Sequence, residues 1–288
     1  MKERNRRKLR LLAAEAKKKP AVFTVYVVLR LIVLAILVSS ILRGEYEHAA
    51  ICLLVLFLFL LPMFVQRNFG VELPGTLEII ILVFIFAAEI LGELQCYFIT
   101  YPHWDTILHT TSGFLCAAVG FSLIDVLNRN SRIKFELSPI YVALVAFCFS
   151  MTIGVLWEFV EFSIDRLFQM DMQKDTIVHT VTSVMLDPTN QNIPVTIDGI
   201  TSVAVNGVEL GFGGYLDIGL YDTMEDLFVN FLGALTFSIF GFFYIKHRGK
   251  GRIASAFIPT ITESKEHDSS HEQPQAQPHP QASADRDG

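Results

Sequence analysis

The block AVFTVYVVLRLIVLAILVSSIL, running from Ala21 to Leu42, decides what kind of protein this is. About 20 consecutive apolar residues, wound as a helix, match the thickness of a bilayer's hydrocarbon core. Similar blocks recur at roughly Ala49–Val65, Leu77–Tyr97, Pro102–Leu127, Pro139–Phe162 and Tyr221–Tyr244. Across 288 residues the hydrophobic fraction is 52% and the mean hydropathy +0.44, too apolar for an ordinary soluble domain. The expected fold is an all-α polytopic membrane protein: a six-helix transmembrane bundle with a small β-rich extracytoplasmic insert and disordered termini.

The first block follows a basic stretch too long for the start of a cleavable signal peptide, and it has no A-x-A-like end. It therefore reads as a transmembrane helix that stays. Before it, Met1 to Lys19 carries nine Lys and Arg against two Glu. Basic residues beside a span set topology, and nucleic-acid binding is excluded as their explanation. With six spans and an inner N-terminus, seventeen basic residues fall on the inner side. Only Arg43, Arg166 and Lys174 fall outside. The expected arrangement is then a basic cytoplasmic tail over 1–20, helices one to five over 21–162, an outer loop over 163–220, helix six over 221–245 and a cytoplasmic tail over 246–288. The last of these, Gln, Pro, His and acid-rich, cannot bury enough apolar surface to order itself. Cys52, Cys96, Cys116 and Cys148 lack metal-ligand or disulfide spacing and read as apolar packing residues.

The outer loop carries Asp198-Gly199 and Asn206-Gly207 between β-branched runs, which predicts a three-stranded antiparallel cap. Ser138-Pro139 is a helix start signal for the fifth span.

The chemistry-bearing residues repeat one phrase: D-T-I-L-H from Asp105, D-T-I-V-H from Asp175 and D-T-M-E-D from Asp222. On a helix, residues four apart stack on one face. The topology sends Asp105, His109, Glu158, Glu161, Asp222 and Asp226 to the outer ends of three helices. Acids and His at these spacings on several helices are how bundles assemble metal sites. Oxygen-rich ligation with one imidazole suits Zn, Mn, Fe or Mg. These six residues are the expected ligands of a divalent cation, with Glu158 or Glu161 the catalytic base. Asn230, Glu93 and the Asp175/His179 pair are expected to orient them. Against this stands a plainer reading, in which Asp105 and Asp222 complement helix dipoles and Glu161 is a solvated helix end.

Arg30, in the middle of the first span, either snorkels or pairs with an acid such as Glu89, or it contacts an anion; the first is preferred. Two other function classes stay open. One is a proton- or cation-coupled transporter using Glu89 and Arg30, and the other a structural or sensing protein working through its cap.

W-D-T-I-L-H (104–109), W-E-F-V-E (157–161) and D-T-M-E-D-L-F-V-N-F-L-G (222–233) resemble the signature blocks of YjdF-like polytopic bacterial membrane proteins, over roughly residues 50 to 245. A fainter similarity is to VanZ-like proteins. The resemblance implies a bacterial cytoplasmic membrane and assigns no reaction. The outer face then suggests a lipid-linked substrate, a head group or an envelope precursor.

Overall fold

The computed structural model describes residues 19–69, 71–128, 137–247, 256–258 and 260–261. The basic stretch 1–18, the loop cations Arg129, Arg132 and Lys134, and residues 262–288 lie outside that range. Helix α1 (Pro20–Arg43) begins with Pro in its first turn and stops at Gly44, whose φ of +76° ends the helix in the left-handed region. The second apolar block divides into α2 (Tyr46–Leu58) and α3 (Leu61–Phe69), which together supply one candidate span, Tyr46–Asn68. Helix α4 (Gly75–Phe86) continues with helical dihedrals into a π-helical stretch, Ala87–Leu94. After it, Cys96 at φ 56° turns the chain into the single turn α5 (Tyr97–Thr100). Three long helices follow: α6 (Trp104–Asn128), α7 (Pro139–Phe168) and α8 (Leu220–Lys246).

Among the described residues, five helical segments are long and apolar enough to cross a membrane: α1, Tyr46–Asn68, Trp104–Ile124 in α6, α7 and α8. The protein is a mostly helical, multi-pass membrane protein. The expected third span falls short of that count because its α-helix gives way to π-helix after Phe86. The fifth runs past its expected end at Phe162 to Phe168, where Gln169 closes it at φ 56°. The extension has a reason in sequence: Glu158, Glu161 and Asp165 continue one helical face beyond the apolar block. Ser138 caps the other end as its sequence promises, its Oγ accepting from the Tyr141 amide at 3.4 Å.

The helices pack as two groups. Val33 and Leu37 of α1, Cys52 and Val55 of α2, and Leu82 and Ile85 of α4 bury one another. Ala117 and Phe121 of α6, Ala146 of α7 and Ala234 and Phe237 of α8 form the second core. Leu73 and Leu77 meet Leu115 of α6 and join the two. Leu31, Leu42, Phe57, Phe159 and Leu167 stay exposed, as large apolar side chains do when the surrounding solvent is lipid.

The connection between α7 and α8 carries six short strands: β2 (Ile177–Val178), β3 (Val181–Ser183), β4 (Val195–Ile197), β5 (Ala204–Val205), β6 (Val208–Glu209) and β7 (Tyr215–Leu216). The expected three-stranded cap is replaced by antiparallel pairs, β2 with β7, β3 with β4 and β5 with β6. Asn206 (φ 52°) and Gly207 (φ 81°) do turn a hairpin between β5 and β6. Asp198-Gly199 does not, because β4 pairs backwards with β3 instead. The Asp198 carboxylate accepts from the Thr180 hydroxyl and from the Gly199 amide, fixing the bend.

At the opposite end, β1 (Val71–Glu72) pairs with β8 (Thr260–Ile261). Lys19 Nζ donates there to the Leu73 carbonyl at 2.6 Å and meets Glu78 at 3.3 Å. The tail expected over 246–288 is thus not featureless throughout. Ile258 is buried in the second core with Phe257 packed against it, because this stretch is apolar and β-branched, unlike the Gln/Pro/His run that follows.

Candidate metal centre

The site is built where the starts of α6 and α8 meet the far end of α7. Asp105 and His109 lie one turn apart on α6, and His109 Nε2 sits 3.4 Å from Asp105 Oδ1. The same nitrogen lies 3.5 Å from Asp226 Oδ2 on α8. Glu158 and Glu161 occupy one face of α7 at a spacing of three, and both are buried with Asp226. Ligand atoms of Asp105, His109 and Asp226 lie within 4.8 Å of one another, and so do those of Glu158, Glu161 and Asp226. These groups could hold a metal ion.

Three helices deliver these side chains to one place because glycine lets their backbones close. A Cβ on Gly233 of α8 would come 2.0 Å from the Thr110 carbonyl oxygen, and one on Gly113 of α6 would come 2.3 Å from that of Asn230. Asn230, one turn below Asp226, also wedges against Gly154 of α7, where a Cβ would reach 2.5 Å from Nδ2. Ser150 Oγ donates to the Gly113 carbonyl at 2.7 Å and ties α7 to α6 at this depth. Asn230 thus forms the floor of the acidic cluster, and its Nδ2 lies 3.5 Å from Met151 Sδ.

Burial makes the cluster costly. Carboxylate oxygens within 4.8 Å of one another repel by at least about 3.5 kcal/mol at an effective dielectric of roughly 20. Glu158 is 5% exposed, Glu161 7% and Asp226 3%, so solvent screens little of this. Among the described residues no Lys or Arg forms an ion pair with any of the three. Glu161 Oε2 is fully buried and has no hydrogen-bond partner. An acid oxygen in that state lacks its ordinary compensation.

A strap closes one side. Beyond α7, the Met172 and Gln173 amides donate to the Asp165 carboxylate at 2.6 and 2.9 Å. Gln173 Nε2 donates to Thr223 Oγ1 at 2.6 Å and reaches Glu158 Oε2 at 3.4 Å. The Lys174 amide donates to Asp222 Oδ2 at 2.8 Å. Asp222, expected as a ligand, thus anchors the strap and lies outside both close groups. No sequence signal marked Gln173, which stands in no motif, and Thr223, though it belongs to D-T-M-E-D, was not marked as its partner because their contact spans a separation of 50 residues.

The remaining expected residues fall elsewhere. Asp175 and His179 are exposed in the loop, with β2 between them. Extended chain rises about 3.3 Å per residue, so the spacing that stacks a pair on a helix separates this one. His179 Nδ1 is 2.9 Å from the Ile200 carbonyl, and Asp175 is pushed upward in pKa by partial desolvation and by Asp171, Asp217 and Asp165. Glu93 is exposed on the π-helical stretch. Arg30 donates to the Tyr26 hydroxyl, with its guanidinium 5.1 Å from that ring, and does not pair with Glu89.

Residues 25–247 match the family described as "Predicted membrane protein (DUF2238)". The chain belongs to this family. The match covers all five candidate spans except the first turn of α1, and it includes every residue of the candidate metal centre. It agrees with the YjdF-like resemblance of the Trp104, Trp157 and Asp222 blocks and gives none to the VanZ-like proteins. An "Uncharacterized protein" of Thermotoga maritima is 26% identical over 96 residues, covering 33% of this chain and 47% of that protein. This DUF2238 chain therefore aligns with about half of that relative's length. No solved structure matches it.

Proposed function

We propose that this DUF2238 protein crosses a bacterial cytoplasmic membrane six times, with both termini inside, and holds a divalent cation at its outer face. The cation is Zn, Mn, Fe or Mg, bound by Asp105, His109, Glu158, Glu161 and Asp226, with Asp222 holding the strap beside them. The observation that carries this is Glu161 Oε2, buried and unpartnered among three acids. Six spans are favoured by parity. The starts of α1 and α4 share the end where β1 pairs with β8, while α6 starts at the opposite end beside the insert. The run Gly75–Leu94 must then cross between them, and its 12 α and 8 π residues approach the ~30 Å of a hydrocarbon core.

A cation held there would polarise a phosphoryl or acyl oxygen and activate water, with Glu158 or Glu161 as the base. A substrate at this depth and face is a lipid head group or a lipid-linked envelope precursor. The transporter reading is weaker, because Arg30 is satisfied on its own helix by Tyr26. It predicts ion-dependent uptake into proteoliposomes that Glu89→Gln abolishes.

The test is elemental analysis of protein purified without added chelator. The wild type is expected to carry at least one equivalent of divalent metal in total, and Glu161→Gln a clearly smaller amount. A metal-free wild type, or a variant indistinguishable from it, sinks the reading.

A further inference from the structure

We infer that the centre holds two divalent cations, with the Asp226 carboxylate bridging them. The inference rests on the metal-binding reading above and deepens it. Two ligand groups share Asp226, one with Asp105 and His109 of α6 and one with Glu158 and Glu161 of α7. A carboxylate has two oxygens and bridges two cations by giving one to each. Asp226 is the residue suited to this, since it is 3% exposed and its Oδ2 already faces His109 at 3.5 Å.

Charge points the same way. Asp105, Asp226, Glu158 and Glu161 are four carboxylates with a neutral imidazole beside them. A single dication would leave two negative charges uncompensated in a water-poor site, whereas two leave none. The unpartnered Glu161 Oε2, on a side chain 7% exposed, then becomes a ligand atom of the second cation. The first cation takes one nitrogen and two carboxylates; the second takes carboxylates alone. The His-containing position therefore favours Zn or Fe, and the all-oxygen position favours Mn or Mg.

The test uses Mn²⁺ on the full chain in detergent, stripped with chelator, reloaded and desalted. Bound metal is counted by elemental analysis and spin coupling read by electron paramagnetic resonance. The wild type is expected to retain two equivalents with an exchange-coupled spectrum. His109→Ala and Glu161→Gln should each retain one equivalent with an uncoupled six-line signal, at unchanged helicity by circular dichroism. Asp226→Asn should lose the coupling. One equivalent in the wild type, lost in both His109→Ala and Glu161→Gln, overturns the pair and leaves the metal reading standing. No retained metal in the wild type overturns both.

Discussion

Asp187 shows how much one carboxylate can organise. It accepts from the Thr189 amide at 2.8 Å, the Thr189 hydroxyl at 2.6 Å, the Gln191 amide at 2.8 Å and the Ile193 amide at 3.2 Å. The Thr189 hydroxyl above all, then the backbone donors, hold its pKa down at about 2. Because the folded pKa lies below the unfolded one, the stabilisation is complete above about pH 4 and disappears as pH falls toward 2. Hydrogen exchange should therefore find the Gln191 and Ile193 amides equally protected at neutral pH and mild acidity, and progressively open below about pH 4. Asp187→Ala should make them fast at every pH. Protection that stays constant into strong acid would dismiss this account. At this scale the sequence was readable where a side chain's role is local. Asp105, His109 and Asp226 announced themselves by acids and His four apart, whereas Asp187 sat in no motif. Gln173 was invisible because its role comes from a strap whose path depends on where α7 stops.

Between elements the decisive contact is α6 against α8. Gly233 faces the Thr110 carbonyl at a distance no Cβ tolerates, and backbone cannot rotate out of the way. Gly241 meets instead the ring of Phe121, with its nearest atoms at 2.9 Å, and a ring can tilt. Gly233→Ala should cost at least about 1–3 kcal/mol and Gly241→Ala less, since overpacking is worst against rigid neighbours. Thermal unfolding in detergent, followed by circular dichroism, ranks them; equal midpoints would contradict the ordering. Helix starts and the Asn206-Gly207 hairpin were legible because caps and two-residue turns are decided within four residues. The cap's pairing was not, because β4 chooses β3 across an eleven-residue connection in preference to the neighbour its Asp-Gly turn suggested. The phrase D-T-I-V-H at Asp175 misled for the same reason. Its spacing has meaning only on a helix, and that segment is extended.

For the whole molecule, the alternation of spans puts the insert and the candidate metal centre at one end and β1, β8 and Lys19 at the other. In a background with Cys52, Cys96, Cys116 and Cys148 replaced, Asn206→Cys should react with a membrane-impermeant maleimide on intact cells. Arg67→Cys should react only after permeabilisation. The reverse pattern would invert the proposed orientation. Basic residues carry the sequence argument for that orientation, since they sum over many positions and forgive local error. The pairing of two chain regions at the far end was not readable, because strands of two residues carry no pattern. That pairing has a consequence in time. Val71–Glu72 and Thr260–Ile261 are separated by a stretch that takes a ribosome roughly 10–40 s to synthesise at ~5–20 residues per second. Helices α1 to α4 must therefore wait in the lipid, unlatched and at first without the α6–α8 core beside them, until synthesis has passed Ile261 and delivers their closing strand.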